Sequence, residues 1–405
     1  MQKRLLFILF VTIFIDAIGF AMLAPIIPII FFDVSSPDFL LAAYSDQARY
    51  LIAGIVLALY GIVQFFAAPL LGELSDVYGR KRLLMVGVAV LALSQVSFGL
   101  GIAAGSLVLL FISRVVGGLG AANFSIAQAA IADVTEPKDR AKNFGLIGAA
   151  FGLAFMVGPA IAGYVAGITG DASSPFWIAA GLGVLNLLSV AFFMPETHVV
   201  SSEEKRTFSF FKGIRNIRDA LFNTGTRLIY LSNLLYLCAF AFMTSFFGIL
   251  LVNKFMLTET DIGIFFSVVG IWIALTQLVL LRFVTRFFSE RKILFVALPI
   301  IAVALALHPF MANSMWLFVI IPIYSIPHAL AMATMPALVS KAVPGDKQGA
   351  ALGINGSLMA FSQGIIPIVA GTVTALIGLT APFVIGGLFV VASWLVLFVF
   401  SRRAV

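Results

Sequence analysis

The chain has 405 residues, of which 61% are hydrophobic and 11% charged, and its formal net charge is +7. That balance excludes an ordinary soluble protein of this length, which needs far more polar surface to cover itself. The bases sit in short connections rather than on the face of a soluble domain, so no nucleic-acid partner is expected.

Taken in chain order, apolar runs fall near 5–32, 50–71, 83–103, 106–132, 143–167, 175–195, 228–252, 260–281, 293–312, 315–340, 350–375 and 381–401. Each is long enough for a helix to cross a hydrocarbon core of about 30 Å. Lipid offers no partner to a bare backbone, so these runs are expected to be helices, twelve in all. The first follows MQKR and continues through Phe32 with no small-residue cleavage site, which reads as a retained helix rather than a leader. With the N-terminus placed in the cytoplasm and the spans alternating, every Lys and Arg except Arg49, Arg114 and Lys254 falls at a terminus or on an inner connection. This positive-inside pattern puts both termini in the cytoplasm.

The longest connection, 196–227, carries FSFFKGIRNIRDALF, with apolar residues at near-helical spacing and bases between them. It reads as an interfacial helix joining a six-helix half, 1–195, to a second one, 228–405; a partner-binding segment is the alternative. The turn GELSDVYGRKR, 72–82, follows the second span, and RFVTRFFSERK, 282–292, follows the eighth, about half the chain later. Such a repeat is the usual build of secondary transporters, with the substrate site between the halves near the bilayer midplane.

Polar residues inside the spans are the candidates for function. Asp16 lies roughly 16 Å from the start of its span by helical rise. A charge there is costly, about 2.5–3.5 kcal/mol on insertion scales, so such an acid faces a wet cavity or a partner. It reads either as a proton-exchange site or as a fixed structural group. Arg114, roughly 12 Å deep on the fourth span, is the natural partner; it either exchanges with Asp16 or braces helix carbonyls. Gln64, Asn123, Gln128, Asn233, Gln277, His328, Asn355 and Gln363 are candidates for lining a substrate cavity. Each singly is as well explained by a helix–helix hydrogen bond, worth about 0.6 kcal/mol on average. At the inner face, Gly72 lets helices approach, Gly79 permits a turn with positive φ, and Asp76, Arg80 and Asp133 form a cluster that could latch the inner ends. The second copy has Arg286 and Ser289 where Asp76 and Gly79 stand, and so lacks the full latch. Gly148, Gly152, Gly158-Pro159 and Gly163 give the fifth span a smooth, bent face for close packing.

Gly72-x-Leu74-x-Asp76-x-x-Gly79-Arg80-Lys81-Arg82 resembles the signature loop of the major facilitator superfamily. Asp16-x-x-Gly19 with Pro25 and Pro28 resembles the first-helix motif of its twelve-span drug:proton antiporters, and Arg114-x-x-Gly117-Gly118-x-Gly120-Ala121-Ala122 their fourth-helix motif. The glycines of the fifth span resemble their antiporter motif, and Gln348-Gly349 leading to Gly353 is also similar. The resemblance covers essentially the whole chain and is greatest to the tetracycline-efflux branch. It implies an all-α membrane fold of two pseudo-symmetric six-helix halves, proton coupling at Asp16 and Arg114, and export. It also implies that the 72–82 loop locks an outward-facing state and that the fifth helix seals the contact between halves. Ala21, Ala154 and Ala162 stand where the family's motifs have Gly. The third span carries Ser94 and Gln95 but no acid, where tetracycline exporters look to carry an Asp, so a metal–tetracycline chelate is a poor substrate for this chain.

The resulting expectation is a monomeric, multi-pass transporter of a bacterial-type inner membrane, working on protons and a small lipophilic organic substrate. The chain shows no nucleotide-binding loop and no constellation for nucleophilic or metal catalysis, so it reads as no enzyme; a lone cysteine, Cys238, rules out an internal disulfide and a cysteine-based metal site, and no cofactor is expected. The rivals are a metabolite transporter for amino acids, sugars or siderophores on the same fold, a non-transporting membrane sensor, and, more weakly, a channel.

Overall fold

The computed structural model describes residues 2–135, 140–197, 211–222, 225–344 and 348–403. Of the 196–227 connection, 198–210 and 223–224 lie outside the described residues. Among the described residues, sixteen α-helices follow one another. The first eight are α1 (Gln2–Ala21), α2 (Leu23–Phe32), α3 (Asp46–Tyr78), α4 (Arg80–Ala103), α5 (Leu107–Gly120), α6 (Asn123–Asp133), α7 (Arg140–Thr169) and α8 (Ser174–Phe193). The connecting helix is α9 (Lys212–Phe222). Then come α10 (Arg227–Phe255), α11 (Glu259–Leu275), α12 (Leu281–Phe287), α13 (Glu290–Leu307), α14 (Leu317–Lys341), α15 (Gln348–Ile377) and α16 (Ala381–Arg403).

Among the described residues, twelve helical segments have the length and composition to cross a membrane, one for each apolar run. Three spans are broken. The first divides into α1 and α2 at Met22, the fourth into α5 and α6 at Ala121-Ala122, and the eighth into α11 and α12 with a π-helical turn, Thr276–Leu280, between them. The second span is longer than its apolar run: the helix continues from Asp46 through Tyr78. Ser45 fixes its start by accepting a hydrogen bond from Ala48 N at 3.3 Å. Gly79, at φ 94°, ends it in a conformation that suits glycine.

Helices α1–α8 pack on one another, as do α10–α16. The two largest crossings between these bundles are α3 on α15 and α7 on α11, and α2 also packs on α10 and α11. Exchanging the first six spans with the last six turns one crossing into the other. Both depend on glycine at the contact. A Cβ on Gly54 would stand 2.5 Å from Pro367 O, and one on Gly371 2.4 Å from Tyr50 O. A Cβ on Gly163 would stand 2.4 Å from Glu259 O, and one on Gly263 2.6 Å from Pro159 O. These contacts lie toward the end of the molecule opposite the 72–82 turn.

The two ends differ. Opposite the 72–82 turn, one apolar core runs through both bundles, from Ile26, Ala53 and Phe98 to Phe246, Phe265 and Ile366. At the end that carries the turn, the basic end, the cores are separate. Leu9, Leu84, Ile131 and Val190 close one bundle, and Tyr230, Val339 and Leu358 the other. There Gly148, Gly353 and Gly356 have open space where a Cβ would stand.

Helix α9 sits at this basic end between the bundles. Lys212 Nζ pairs with Glu73 Oε1 of α3 at 2.5 Å, and Asn216 Nδ2 donates to Ser357 Oγ of α15 at 3.0 Å. Gly213 lies so close to α3 that a Cβ would stand 2.9 Å from Phe65 O. Ala220 is fully buried in the second bundle's core, whereas Phe211, Ile214 and Phe222 are exposed. The helix therefore has a packed face and an apolar outer face. The first suits a strut and the second a membrane surface.

Candidate substrate and proton site

Asp16 lies on α1 one and a half turns before the Met22 break. Its carboxylate accepts from two side-chain amides: Asn123 Nδ2 at 2.9 Å from Oδ2, and Asn186 Nδ2 at 3.5 Å from Oδ1. Thr12 Oγ1 in turn donates to Asn186 Oδ1 at 3.0 Å. Asp16 also opens on a cavity lined by Phe20, Tyr60, Gln64, Asn123, Phe151 and Gln363. In lipid, a chain of amides and hydroxyls is the cheapest way to hold such an acid, because it satisfies both oxygens without a second charge.

Arg114 does not pair with Asp16. Its Nε lies 3.4 Å from Ser113 Oγ, and its guanidinium sits over the Phe98 ring at 4.6 Å and the Tyr60 ring at 6.0 Å. Among the described residues, its Nη nitrogens have no hydrogen-bond partner and no ion pair. The two residues line adjoining cavities, but α5 turns its arginine toward aromatic faces. Arg114 is 2% exposed and lines a second cavity between the bundles, with Phe20, Tyr60, Phe155, Thr244, Ser245 and Phe266. Phe20, Tyr60 and Gln363 line both cavities, so the two adjoin.

The other intramembrane polar residues divide. Gln64, Asn123 and Gln363 line the cavity at Asp16. Gln128, on α6, lines neither cavity. The remaining four bond within the second bundle: Asn233 donates to Asn355, and Gln277 Nε2 donates to Ala329 O at 3.3 Å. His328 stands between the Phe240 and Tyr324 rings, with its Nδ1 2.8 Å from Tyr236 Oη. In this arrangement these four line neither of the two cavities. Polar groups in an apolar bundle take the nearest partner, here a neighbouring helix.

At the basic end, Arg80 gathers the 72–82 turn. It pairs with Asp76, and its Nε lies 3.1 Å from Asp133 Oδ2. Its Nη1 donates to Ser75 Oγ at 2.5 Å, and Ser75 Oγ donates to Gly72 O at 2.6 Å. Glu196, unsuspected from the sequence, accepts from Arg80 N at 2.8 Å and Lys81 N at 3.2 Å. It thereby caps α4 with a charge that suits a helix N-terminus. A Cβ on Gly79 would stand 2.4 Å from Glu196 Oε2. Gly72 does not serve close approach, since the nearest atom to its Cβ position is Ser125 Cβ at 4.0 Å. The described partners of this cluster lie within the first bundle or just after it, and α9 touches both bundles at this end. The second bundle has a related tie with the charges reversed: Glu290, starting the ninth span, pairs at 2.5 Å with Lys341, ending the tenth.

Along α7, Gly158 packs on α1, its Cβ position 3.0 Å from Ala21 Cβ, and Gly163 packs on α11. Gly148 touches nothing within 4 Å, and Gly152 makes only ordinary contacts from 3.5 Å. The smooth face is thus engaged toward the opposite end and free toward the basic end.

The family model for the Major Facilitator Superfamily matches residues 9–253 and 229–405. The chain belongs to the major facilitator superfamily. It is a multi-pass membrane transporter and not an enzyme. It is 28% identical to the tetracycline resistance protein, class C, of Escherichia coli, over 97% of this chain and 91% of that one. It is 28% identical to multidrug resistance protein 1 of Bacillus subtilis, over 92% and 90% of the two chains. In fold it is similar to the human organic anion transporter MFSD10, with a TM-score of 0.73 at 23% identity over 98% of this chain and 99% of that one.

Thr12 and Asn186 are the site residues that sequence reasoning passed over. Their signal was available: each is a lone polar residue in a short apolar run, LFVTIF and GVLNLL.

Proposed function

We propose that this superfamily member exports small lipophilic organic compounds in exchange for protons, by alternating access between its two bundles. The basic end is the cytoplasmic one, both termini lie there, and the arrangement described is open toward the cytoplasm and closed at the outer end. The observation that carries the reading is Asp16: an acid deep in the first bundle, held by two amides at the wall of a cavity that meets the second bundle. The aromatic walls at Phe20, Tyr60, Phe155 and Phe266 suit a flat apolar substrate, and the free Nη groups of Arg114 suit an acceptor atom on it. The printed names of the relatives, tetracycline and multidrug resistance proteins, support a drug-type substrate. A metal–tetracycline chelate remains disfavoured, because the third span offers Ser94 and Gln95 but no carboxylate. One charge crossing a potential of 100 mV yields about 2.3 kcal/mol, enough for a concentration ratio of roughly fifty.

The test is proton release from purified protein in weakly buffered detergent on adding a panel of lipophilic aromatic compounds. Release by the parent and none by Asp16→Asn supports the reading. Equal release from both moves the proton site away from Asp16. No release from either removes the support for drug–proton exchange and favours a metabolite transporter.

A further inference from the structure

The two amides on Asp16 are not equivalent. Asn186 is anchored, because its own Oδ1 accepts from Thr12 Oγ1 at 3.0 Å while its Nδ2 faces Asp16. Asn123 is anchored at one end only. Its Nδ2 donates to Asp16 Oδ2 at 2.9 Å, but its Oδ1 is buried and accepts no hydrogen bond. That oxygen lies against α4 where Gly87 leaves room: a Cβ on Gly87 would stand 1.8 Å from it.

With both oxygens receiving N–H donors, the arrangement fits a carboxylate and not a carboxylic acid. A proton on Asp16 turns one oxygen into a donor, and a donor facing Asn123 Nδ2–H has no acceptor. A half-turn of the Asn123 amide about its Cβ–Cγ bond cures this, since the unused Oδ1 then accepts the Asp16 O–H. The same turn at Asn186 would replace the bond that its Oδ1 now accepts from Thr12 Oγ1 with one that the Thr12 hydroxyl has to accept, whereas the turn at Asn123 breaks no second bond. We propose that Asn123 is a positioning residue for the proton on Asp16, its amide donating to the carboxylate and turning over to accept from the acid. This rests on the reading of Asp16 as the proton site. Asn123 is the first residue of α6, at the Ala121-Ala122 break of the span that also carries Arg114. The turn therefore acts at the joint between α5 and α6, a place where proton loading can alter the shape of that span.

The groups that face Asp16 leave this assignment simple. Around its cavity α3 contributes Tyr60 and Gln64, α4 Leu91, α7 Phe151, and α15 Met359 and Gln363, with Asn186 reaching in from α8. Tyr60 is the one other titratable side chain in that lining, and Arg114 faces the adjoining cavity from α5.

The experiment needs no ligand. The carboxylic-acid C=O stretch that the parent shows and Asp16→Asn lacks is followed by infrared spectroscopy against pH, on the purified full chain. Asn123→Leu removes both the stronger bond to the carboxylate and the weaker one to the acid, so the midpoint should move to higher pH by about one unit. Asn123→Ser, whose hydroxyl can donate or accept, should stay within about half a unit of the parent. Should Asn123→Leu fail to fold, Gly87→Ala pushes the amide from its seat and should shift the midpoint in the same direction. An Asp16 band whose midpoint ignores Asn123→Leu, or moves as far in Asn123→Ser as in Asn123→Leu, overturns the proposal. An Asp16 band absent at every pH overturns the proton-site reading itself, and this proposal with it.

Discussion

Arg114 rests its guanidinium over the ring of Phe98, at 4.6 Å, and leaves Asp16 to the amides of Asn123 and Asn186. Charge balance alone favours a direct pair between a buried acid and a buried base. The fold instead keeps them in adjoining cavities, the acid hydrogen-bonded and the base on aromatic faces. An arginine so placed is free to meet a ligand and a carboxylate so placed is free to meet a proton, and neither has to break an ion pair first.

Arg114→Met should therefore separate function from stability. The side chain makes a 3.4 Å contact with Ser113 and two ring contacts, and a buried cation in a membrane costs about 2.5–3.5 kcal/mol on insertion scales. The variant should melt no lower than the parent in detergent, while substrate transport falls by at least tenfold. A drop in melting temperature equal to that of a core truncation would show that Arg114 braces the bundle instead.

Gly79 and Gly72 should respond oppositely to alanine. Gly79 holds φ 94° and has Glu196 Oε2 at 2.4 Å from its Cβ position, so Gly79→Ala should destabilise by about 1–3 kcal/mol. Gly72 is helical with open space, so Gly72→Ala should be neutral or stabilising by up to about 1 kcal/mol. Thermal unfolding of the two variants side by side decides it.

The spans were legible in the sequence because lipid imposes one rule on every residue of a run: twenty apolar positions, backbone satisfied within. What the rule does not fix is where a helix stops once it leaves the lipid. Asp46–Tyr78 accordingly runs past its apolar core to a capping serine at one end and a positive-φ glycine at the other. The site was only partly legible. Depth along a helix places Asp16 and Arg114 at one level, but the direction in which each points depends on how α1 and α5 are turned about their axes. For α5 that direction goes with the close contacts of Gly117 and Gly118 with Tyr60 and Val63 on α3. Likewise Asn233 and Asn355, or Gln277 and the carbonyl of Ala329, are partners across helices that a linear reading cannot pair.

The crossing of α7 on α11 predicts a contrast along α7. Gly163→Val places side-chain atoms where Glu259 O stands, 2.4 Å from the Cβ position, and should prise α7 from α11. A Cβ on Gly148 meets nothing within 4 Å in this arrangement. Thermal stability of this arrangement should fall clearly in Gly163→Val and stay within about 1 kcal/mol of the parent in Gly148→Val, with both proteins reaching the membrane. Cysteine pairs across α7 and α11 near Gly163 should cross-link in the parent and not in Gly163→Val.

The most direct measurement of the central claim compares two modes of transport in proteoliposomes for the parent and Asp16→Asn. One is uptake of a lipophilic aromatic substrate driven by an imposed pH gradient; the other is its exchange, with no gradient, against the same substrate loaded inside. The account predicts that the parent performs both and that Asp16→Asn keeps the exchange but loses the gradient-driven uptake. Gradient-driven uptake that survives in Asp16→Asn would contradict it.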